Sequence, residues 1–169
     1  RDEIAKGRQI YYVFPLIEDS EKLALKSLMS GYDMVCEYLS PPKYKYSFIH
    51  GKMKPADKES EMKKFKQGQT NIMVATTVIE VGVNVPNASV MVIENAERFG
   101  LAQLHQLRGR VGRGAEQSYC ILISGDKLSE NGKKRIKTMV KTNDGFEIAK
   151  VDLELRGPGE LDGTKQSGV

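Results

Sequence analysis

Short apolar runs alternate with longer amphipathic segments along most of the chain. The apolar runs have the length and composition of buried strands and cover residues 9–14, 46–49, 71–75, 89–93 and 118–123. The amphipathic segments between them predict helices at about 21–39, 55–67 and 100–112. This alternation predicts an α/β fold with a parallel sheet and helices on both faces. In such sheets, ligand sites gather at the carboxyl ends of the strands.

The end of the chain has a different pattern. Two basic or mixed amphipathic segments, 129–142 and 146–155, predict a pair of helices. Their predicted apolar stripes consist of Ile136, Met139 and Val140 in the first and Phe146, Ala149 and Leu153 in the second. The turn signal at 143–145 joins the two segments into a helical hairpin. A loop rich in glycine follows, so we divide the chain into a domain at 1–125 and a hairpin with loop at 126–169.

The segment 103–114, QLHQLRGRVGRG, carries the clearest chemistry. Its polar side chains recur at helical spacing and would share one face: Gln103, Gln106, Arg110 and Arg113. Two guanidiniums on one face favour an anionic ligand, because the planar fork binds phosphate oxygens bidentately and stays charged. The alternative is a surface helix with solvated arginines.

Polar residues also follow three of the predicted strands. His50, Gly51 and Lys52 follow the second, where backbone N–H groups and a lysine favour a phosphate. Thr76 and Thr77 follow the third and can offer hydroxyl and N–H groups to a phosphate. After the fourth strand, Glu97 and Arg98 form either a solvated pair or a coupling contact between elements, and the sequence does not decide which.

Composition adds little to this picture. The 26 Lys and Arg residues against 22 Asp and Glu give a net charge of +4, which is compatible with an acidic partner without requiring one. Cys36 and Cys120 lack the spacing of a metal site and lie among apolar residues, so we expect buried, reduced thiols in a cytoplasmic protein. No apolar run reaches the length of a membrane span.

The segment 103–113 resembles motif VI of the superfamily 2 helicases, whose pattern is Gln, two residues, Gly-Arg, two residues, Arg. Residues 75–88, ATTVIEVGVNVPNA, resemble motif V in the form used by the RecG group, and 15–18, PLIE, resemble its motif IV. Residues 146–168, with RGPGE at 156–160 and QSG at 166–168, resemble the TRG motif that this group shares with the bacterial transcription-repair coupling factor. The alternative for this tail is a glycine-rich linker.

The resemblance implies a RecA-like fold and a role for individual residues. The catalytic positions would be Gln106, Arg110 and Arg113, with Arg113 as an arginine finger. The ATP-binding positions would be Gly82, Asn84, Arg110 and Arg113, although many relatives have Asp where Asn84 stands. The positions for DNA binding or coupling would be His50, Gly51, Lys52, Thr76, Thr77, Glu80, Arg156 and Gln166.

The chain lacks a GxxxxGK[ST] loop and an Asp-Glu box for Mg²⁺. We therefore expect ATP and Mg²⁺ to be bound mainly by an N-terminal RecA-like domain of the same polypeptide, and this chain, which begins without Met, to be a piece of that protein. The resemblance also implies branched or duplex DNA as partner, a wedge domain in the same polypeptide, and action as a monomer. The alternatives are the same domain of the coupling factor and an inert DNA-binding module.

Overall fold

A computed structural model describes residues 2–15, 21–51, 53–76, 85–111, 117–125 and 127–156, with 21–28 described by their backbone. The strands are β1 (Gln9–Phe14), β2 (Tyr46–Ile49), β3 (Ile72–Thr76), β4 (Ala88–Ile93) and β5 (Tyr119–Leu122). The helices are α1 (Asp2–Ala5), α2 (Glu21–Cys36), α3 (Pro55–Lys66), α4 (Leu101–Arg108), α5 (Glu130–Lys141) and α6 (Gly145–Arg156). A 3₁₀ helix, Ala96–Arg98, lies between β4 and α4.

The five strands that the structure describes form one parallel sheet in the order β2-β3-β1-β4-β5. β1 lies at the centre, with Val13 in register with Ala75 of β3 and with Ile93 of β4. The carboxyl ends of neighbouring strands therefore meet at one edge of the sheet. The predicted parallel α/β architecture is confirmed.

The sheet separates two hydrophobic clusters, because side chains along a strand alternate between its faces. On one face, Tyr11 and Val13 of β1 pack with residues of α3, α4 and the two C-terminal helices. On the other face, Ile10 and Phe14 pack with Val35 of α2. The hairpin helices thus belong to the same core as the sheet, whereas the division of the chain after residue 125 stays a prediction.

The strand predictions agree with the structure to within one residue at each end. Among the helices, α4 is shorter than predicted, since it ends at Arg108 and Gly109 is its C-terminal cap. The chain then continues in a turn, with the N–H of Arg110 donating to the carbonyl of Leu107 at 2.9 Å. The prediction that one helix carries Arg110 on the face of Gln103 and Gln106 is therefore wrong.

The helical hairpin is present, but the apolar stripe predicted for α6 is wrong. Phe146 is 89% exposed and Leu153 is 49% exposed. The core of the hairpin instead receives Ile148, with Val151 and Leu155 packed beside it. In α5, Val140 is likewise exposed, while Met139 is buried as expected.

The two cysteines also differ in part from the expectation. Cys36 and Cys120 are both free thiols, but each is half-buried and not fully enclosed.

Candidate functional site around α4 and the helical hairpin

Helix α4 is held against the sheet by its leucines and capped at its start by a glutamine. Leu101 and Leu104 are fully buried. The side chain of Gln103 accepts a hydrogen bond from the backbone N–H of Gly100 at 3.2 Å, which satisfies one donor of the helix start. Gln106 is exposed on the side of the helix that faces away from the buried leucines. The amide oxygen of Gln103 is therefore engaged at the helix start, whereas the side chain of Gln106 makes no hydrogen bond with the described residues.

Arg110 leaves the end of α4 and turns toward the sheet. Its half-buried side chain lines a small cavity, of about 20 Å³, with Tyr11 and Leu107. Val13, Ile49 and Ala75, which lie near the carboxyl ends of β1, β2 and β3, line the same cavity. The guanidinium makes no hydrogen bond or salt bridge with any residue that the structure describes. The Arg110 guanidinium is therefore a half-buried cation whose N–H donors are unpaired among the described residues.

Arg108 makes the contacts that fasten α4 to the hairpin. Its guanidinium donates to the carbonyl of Met139 at 2.6 Å and to that of Thr142 at 3.0 Å. A third contact, at 3.1 Å, joins it to Nδ1 of His105 one turn earlier. The carbonyls at the end of α5 are favourable partners for a cation, because the helix dipole is negative there.

Arg108 was not predicted as a site residue. The motif pattern of Gly-Arg pairs singles out Arg110 and Arg113 instead. His105 and Arg108, three residues apart, share a helix face in the sequence pattern, but nothing in that pattern indicates the carbonyls that Arg108 contacts.

An open cleft lies beside this contact, with a volume of about 510 Å³. Its lining residues are His105, Arg108, Gly109, Val111, Ser118, Cys120 and Asn143. Burial raises the pKa of the Cys120 thiol to about 11, and the Arg108 charge acts in the opposite direction. The thiol is therefore protonated at neutral pH.

Glu97 turns out to be a contact between elements and not a solvated pair with Arg98. One of its carboxylate oxygens accepts a hydrogen bond from the backbone N–H of Gly125 at 2.9 Å. The side chain also lies against Gly132 in the first turn of α5, where an added Cβ would come within 3.3 Å of it. Glu97 thereby joins the exits of β4 and β5 to the start of the hairpin.

Four of the residues predicted to bind DNA or to couple movement to it are described by the structure. His50 is half-buried and starts a turn in which its carbonyl accepts from the N–H of Met53 at 3.2 Å. Gly51 is exposed, and a side chain would have open space there. Thr76 is fully buried, and its hydroxyl has no partner among the described residues. Arg156 ends α6 and pairs with Asp152 at 3.0 Å.

Several predicted site residues lie outside the described part of the chain: Lys52, Thr77, Glu80, Gly82, Asn84, Arg113 and Gln166. Their roles stay predictions. Among the residues that are described, no three His, Cys, Asp or Glu side chains come together as metal ligands.

Comparison with known proteins decides the family. The model of the helicase conserved C-terminal domain matches residues 3–115, which include strands β1 to β4, helix α4 and the turn at Arg110. The chain belongs to this helicase family. A second model, for the C-terminal part of domain 3 of the ATP-dependent DNA helicase RecG, matches residues 142–169.

Relatives called ATP-dependent DNA helicase RecG match this helicase domain along its length. The protein from Synechocystis is 55% identical over all of this chain and 20% of its own length. Those from Bacillus subtilis and Escherichia coli K12 are 52% and 53% identical, over 99% and 98% of this chain and 24% of their own lengths. The helicase domain is therefore of the RecG type, and it spans a quarter or less of these relatives.

Solved structures agree with this assignment. A structure of RecG bound to a three-way DNA junction is 45% identical and superimposes with a TM-score of 0.76, covering 95% of this chain and 20% of that one. The C-terminal domain of the DEAD-box protein Dbp5 has a TM-score of 0.57 at 19% identity, over 89% of this chain and 86% of that one, and supports the fold alone. Of the helices that the structure describes, none has the length and apolar character needed to cross a bilayer.

Proposed function

We propose that this chain is the second RecA-like motor domain of an ATP-dependent DNA helicase that translocates on duplex DNA and remodels branched DNA. In this proposal, residues 1–125 form the motor domain and residues 126–169 the coupling element. The observation that supports it is that two arginines at the end of α4 make contacts with two different parts of the domain. Arg108 holds the hairpin, and Arg110, two residues later, lines a cavity beside the carboxyl halves of the strands with its guanidinium unpaired among the described residues.

The nucleotide is the ligand that this cation suits best. Arg110 and Arg113 would contact the phosphates of an ATP held across a cleft, with Gln106 beside them and Gly82 and Asn84 close to the nucleotide. An arginine supplied in this way accelerates phosphoryl transfer by about 10³ to 10⁵. The phosphate loop and the Mg²⁺ ligands would come from an N-terminal RecA-like domain, because neither motif occurs in this chain.

DNA would bind where the loops after the strands meet. His50, Gly51 and Lys52 suit the backbone of the DNA, as do Thr77 and Glu80 after β3. Thr76 is buried at the end of β3, so its role would be coupling and not direct contact with DNA. Arg156 and Gln166 would pass the movement of the motor to the duplex. The solved RecG structure contains a three-way junction, which supports branched DNA as the substrate.

A wedge domain of the same polypeptide would recognise the branch point. The proposal also includes action as a monomer in the cytoplasm. A chain that supplies one side of an ATP site has no need of a second copy when the other side is in its own polypeptide.

The test is ATP hydrolysis by the full-length parent, with Arg113→Ala compared with the unmodified protein. We expect a loss of at least about a hundredfold in kcat with ATP binding largely kept, since the finger acts on the transition state. Arg98→Ala, which removes an exposed arginine of the same domain, is the matched control and should leave kcat unchanged. Unchanged turnover in Arg113→Ala would indicate an inert DNA-binding module.

The substrate is tested by comparing forked DNA with linear duplex of the same length and sequence. Greater stimulation of ATP hydrolysis by the fork is expected for a branch remodeller. Equal stimulation would instead indicate a duplex translocase of the coupling-factor kind.

A further inference from the structure

Tyr11 has a buried hydroxyl that nothing in the described structure satisfies. It lies in the middle of β1, is 4% exposed, and packs its ring against that of Phe65 at a centroid distance of 5.0 Å. Its hydroxyl has no hydrogen-bond partner among the described residues. A phenylalanine would fill the same space without leaving a buried polar group unpaired, so the hydroxyl calls for a partner in some state of the protein.

Arg110 is the polar side chain beside it. Tyr11 and Arg110 line the same small cavity, and the other lining residues, among them Leu107 and Met62, are apolar. Burial raises the pKa of Tyr11 to about 12, and the positive charge of Arg110 opposes this rise, which indicates that the guanidinium is close enough to act on the phenol. The side chains of Tyr11 and Arg110 thus line one space, and neither the phenol nor the guanidinium has a hydrogen-bond partner among the described residues.

We propose that Tyr11 is a positioning residue for Arg110, whose guanidinium donates a hydrogen bond to the phenol oxygen when it engages the nucleotide. A guanidinium has five N–H donors in a rigid plane. One donor held by Tyr11 would fix the direction of that plane and leave the others for phosphate oxygens. This inference rests on the proposed function of Arg110 at the ATP site. Tyr11 itself touches no substrate.

The first experiment is Tyr11→Phe in the full-length parent, assayed for ATP hydrolysis with forked DNA. We expect kcat to fall about tenfold, the effect of losing one hydrogen bond to a charged group, while the KM for ATP changes less than about twofold. The melting temperature should stay the same or rise, because the variant removes an unsatisfied hydroxyl and keeps the ring.

The neighbouring tyrosine provides a matched control. Tyr12 points to the other face of the sheet, where its hydroxyl donates to Glu94 at 2.6 Å. Tyr12→Phe removes the same atom one residue further along and should leave kcat unchanged. A loss of kcat equal to that of Tyr11→Phe would overturn the proposal, since it would come from the strand and not from Arg110.

The second experiment combines Tyr11→Phe with Arg110→Gln, using radiolabelled ATP so that weak turnover is counted. If Tyr11 acts through Arg110, adding Tyr11→Phe to Arg110→Gln lowers kcat no further. A further tenfold loss overturns the inference, as does a normal kcat in Tyr11→Phe while Arg110→Gln is impaired. If Arg110→Gln itself hydrolyses ATP normally, the proposed role of Arg110 fails and this inference fails with it.

Discussion

Gly31 shows that a single hydrogen atom determines how closely α2 approaches the sheet. A Cβ built at this position would lie 2.5 to 2.8 Å from three ring atoms of Phe14, which is itself buried on β1. Alanine normally stabilises a helix interior by about 1 kcal/mol relative to glycine. Here we expect Gly31→Ala to destabilise the protein by about 1 to 2 kcal/mol, because overpacking of a core costs more than the helix gains.

Urea unfolding would measure this difference. Ser30→Ala, one residue earlier and exposed, is the control and should raise stability by a few tenths of a kcal/mol through helix propensity alone. Gains of similar size in both variants would mean that α2 moves off Phe14 freely.

At the same scale, part of the site could be predicted and part could not. Two Gly-Arg pairs in one register singled out Arg110 in the sequence, and its role toward an anion stays a prediction. Arg108 left no comparable pattern, since its partners are the backbone carbonyls of Met139 and Thr142 more than thirty residues later. The choice of a backbone partner depends on tertiary packing, which residue types alone do not encode.

At the scale of elements, Arg108 connects α4 to the end of α5 through hydrogen bonds to the carbonyls of Met139 and Thr142. Replacing it by Met keeps an unbranched side chain of similar length but removes both hydrogen bonds to the carbonyls. We expect the free energy of local unfolding to fall by about 1.5 to 3 kcal/mol, which is the typical contribution of a hydrogen bond from a charged donor. Hydrogen exchange in the full-length parent should then show the amides of α5 and α6 exchanging about 10 to 100 times faster, while those of β1 and β3 are unaffected.

Arg98→Met is the matched control for that experiment. Arg98 is exposed and its side chain makes no hydrogen bond or salt bridge with the described residues, so its loss should leave the exchange of α5 unchanged. Unchanged exchange in Arg108→Met would show that the apolar contacts of Met139 and Ile148 hold the hairpin without the arginine.

The elements themselves were largely predictable, because strands buried on both faces appear as short continuous apolar runs and helices as longer amphipathic segments. The order of the strands in the sheet was not predictable, since it depends on how the helical crossover connections pack against the sheet. The buried face of α6 was predicted wrongly for a related reason. The helix has two apolar stripes, one through Phe146 and Leu153 and one through Ile148, Val151 and Leu155. Only the packing against α4 and α5 determines which stripe is buried.

At the scale of the whole molecule, the proposed function makes this domain one side of an active site in a larger protein. Its relatives are about four to five times longer. Along the described chain, the end of α4 touches the sheet through Arg110 and the hairpin through Arg108. A movement of this turn on nucleotide binding would therefore be passed to α5 and α6, and from α6 to the glycine-rich segment that follows Arg156.

Gln166 belongs to that last segment and lies outside the described residues, so its role rests on the matched family model and the proposed function. If it passes movement to the duplex without taking part in phosphoryl transfer, Gln166→Ala in the parent should retain most of the DNA-stimulated ATP hydrolysis and lose about tenfold or more in the rate of fork unwinding. The ratio of base pairs unwound to ATP hydrolysed is the quantity to measure, because it separates coupling from chemistry. Arg113→Ala should lower both rates together and keep that ratio. A parallel loss of both rates in Gln166→Ala would place Gln166 with the ATP site and remove it from the coupling path.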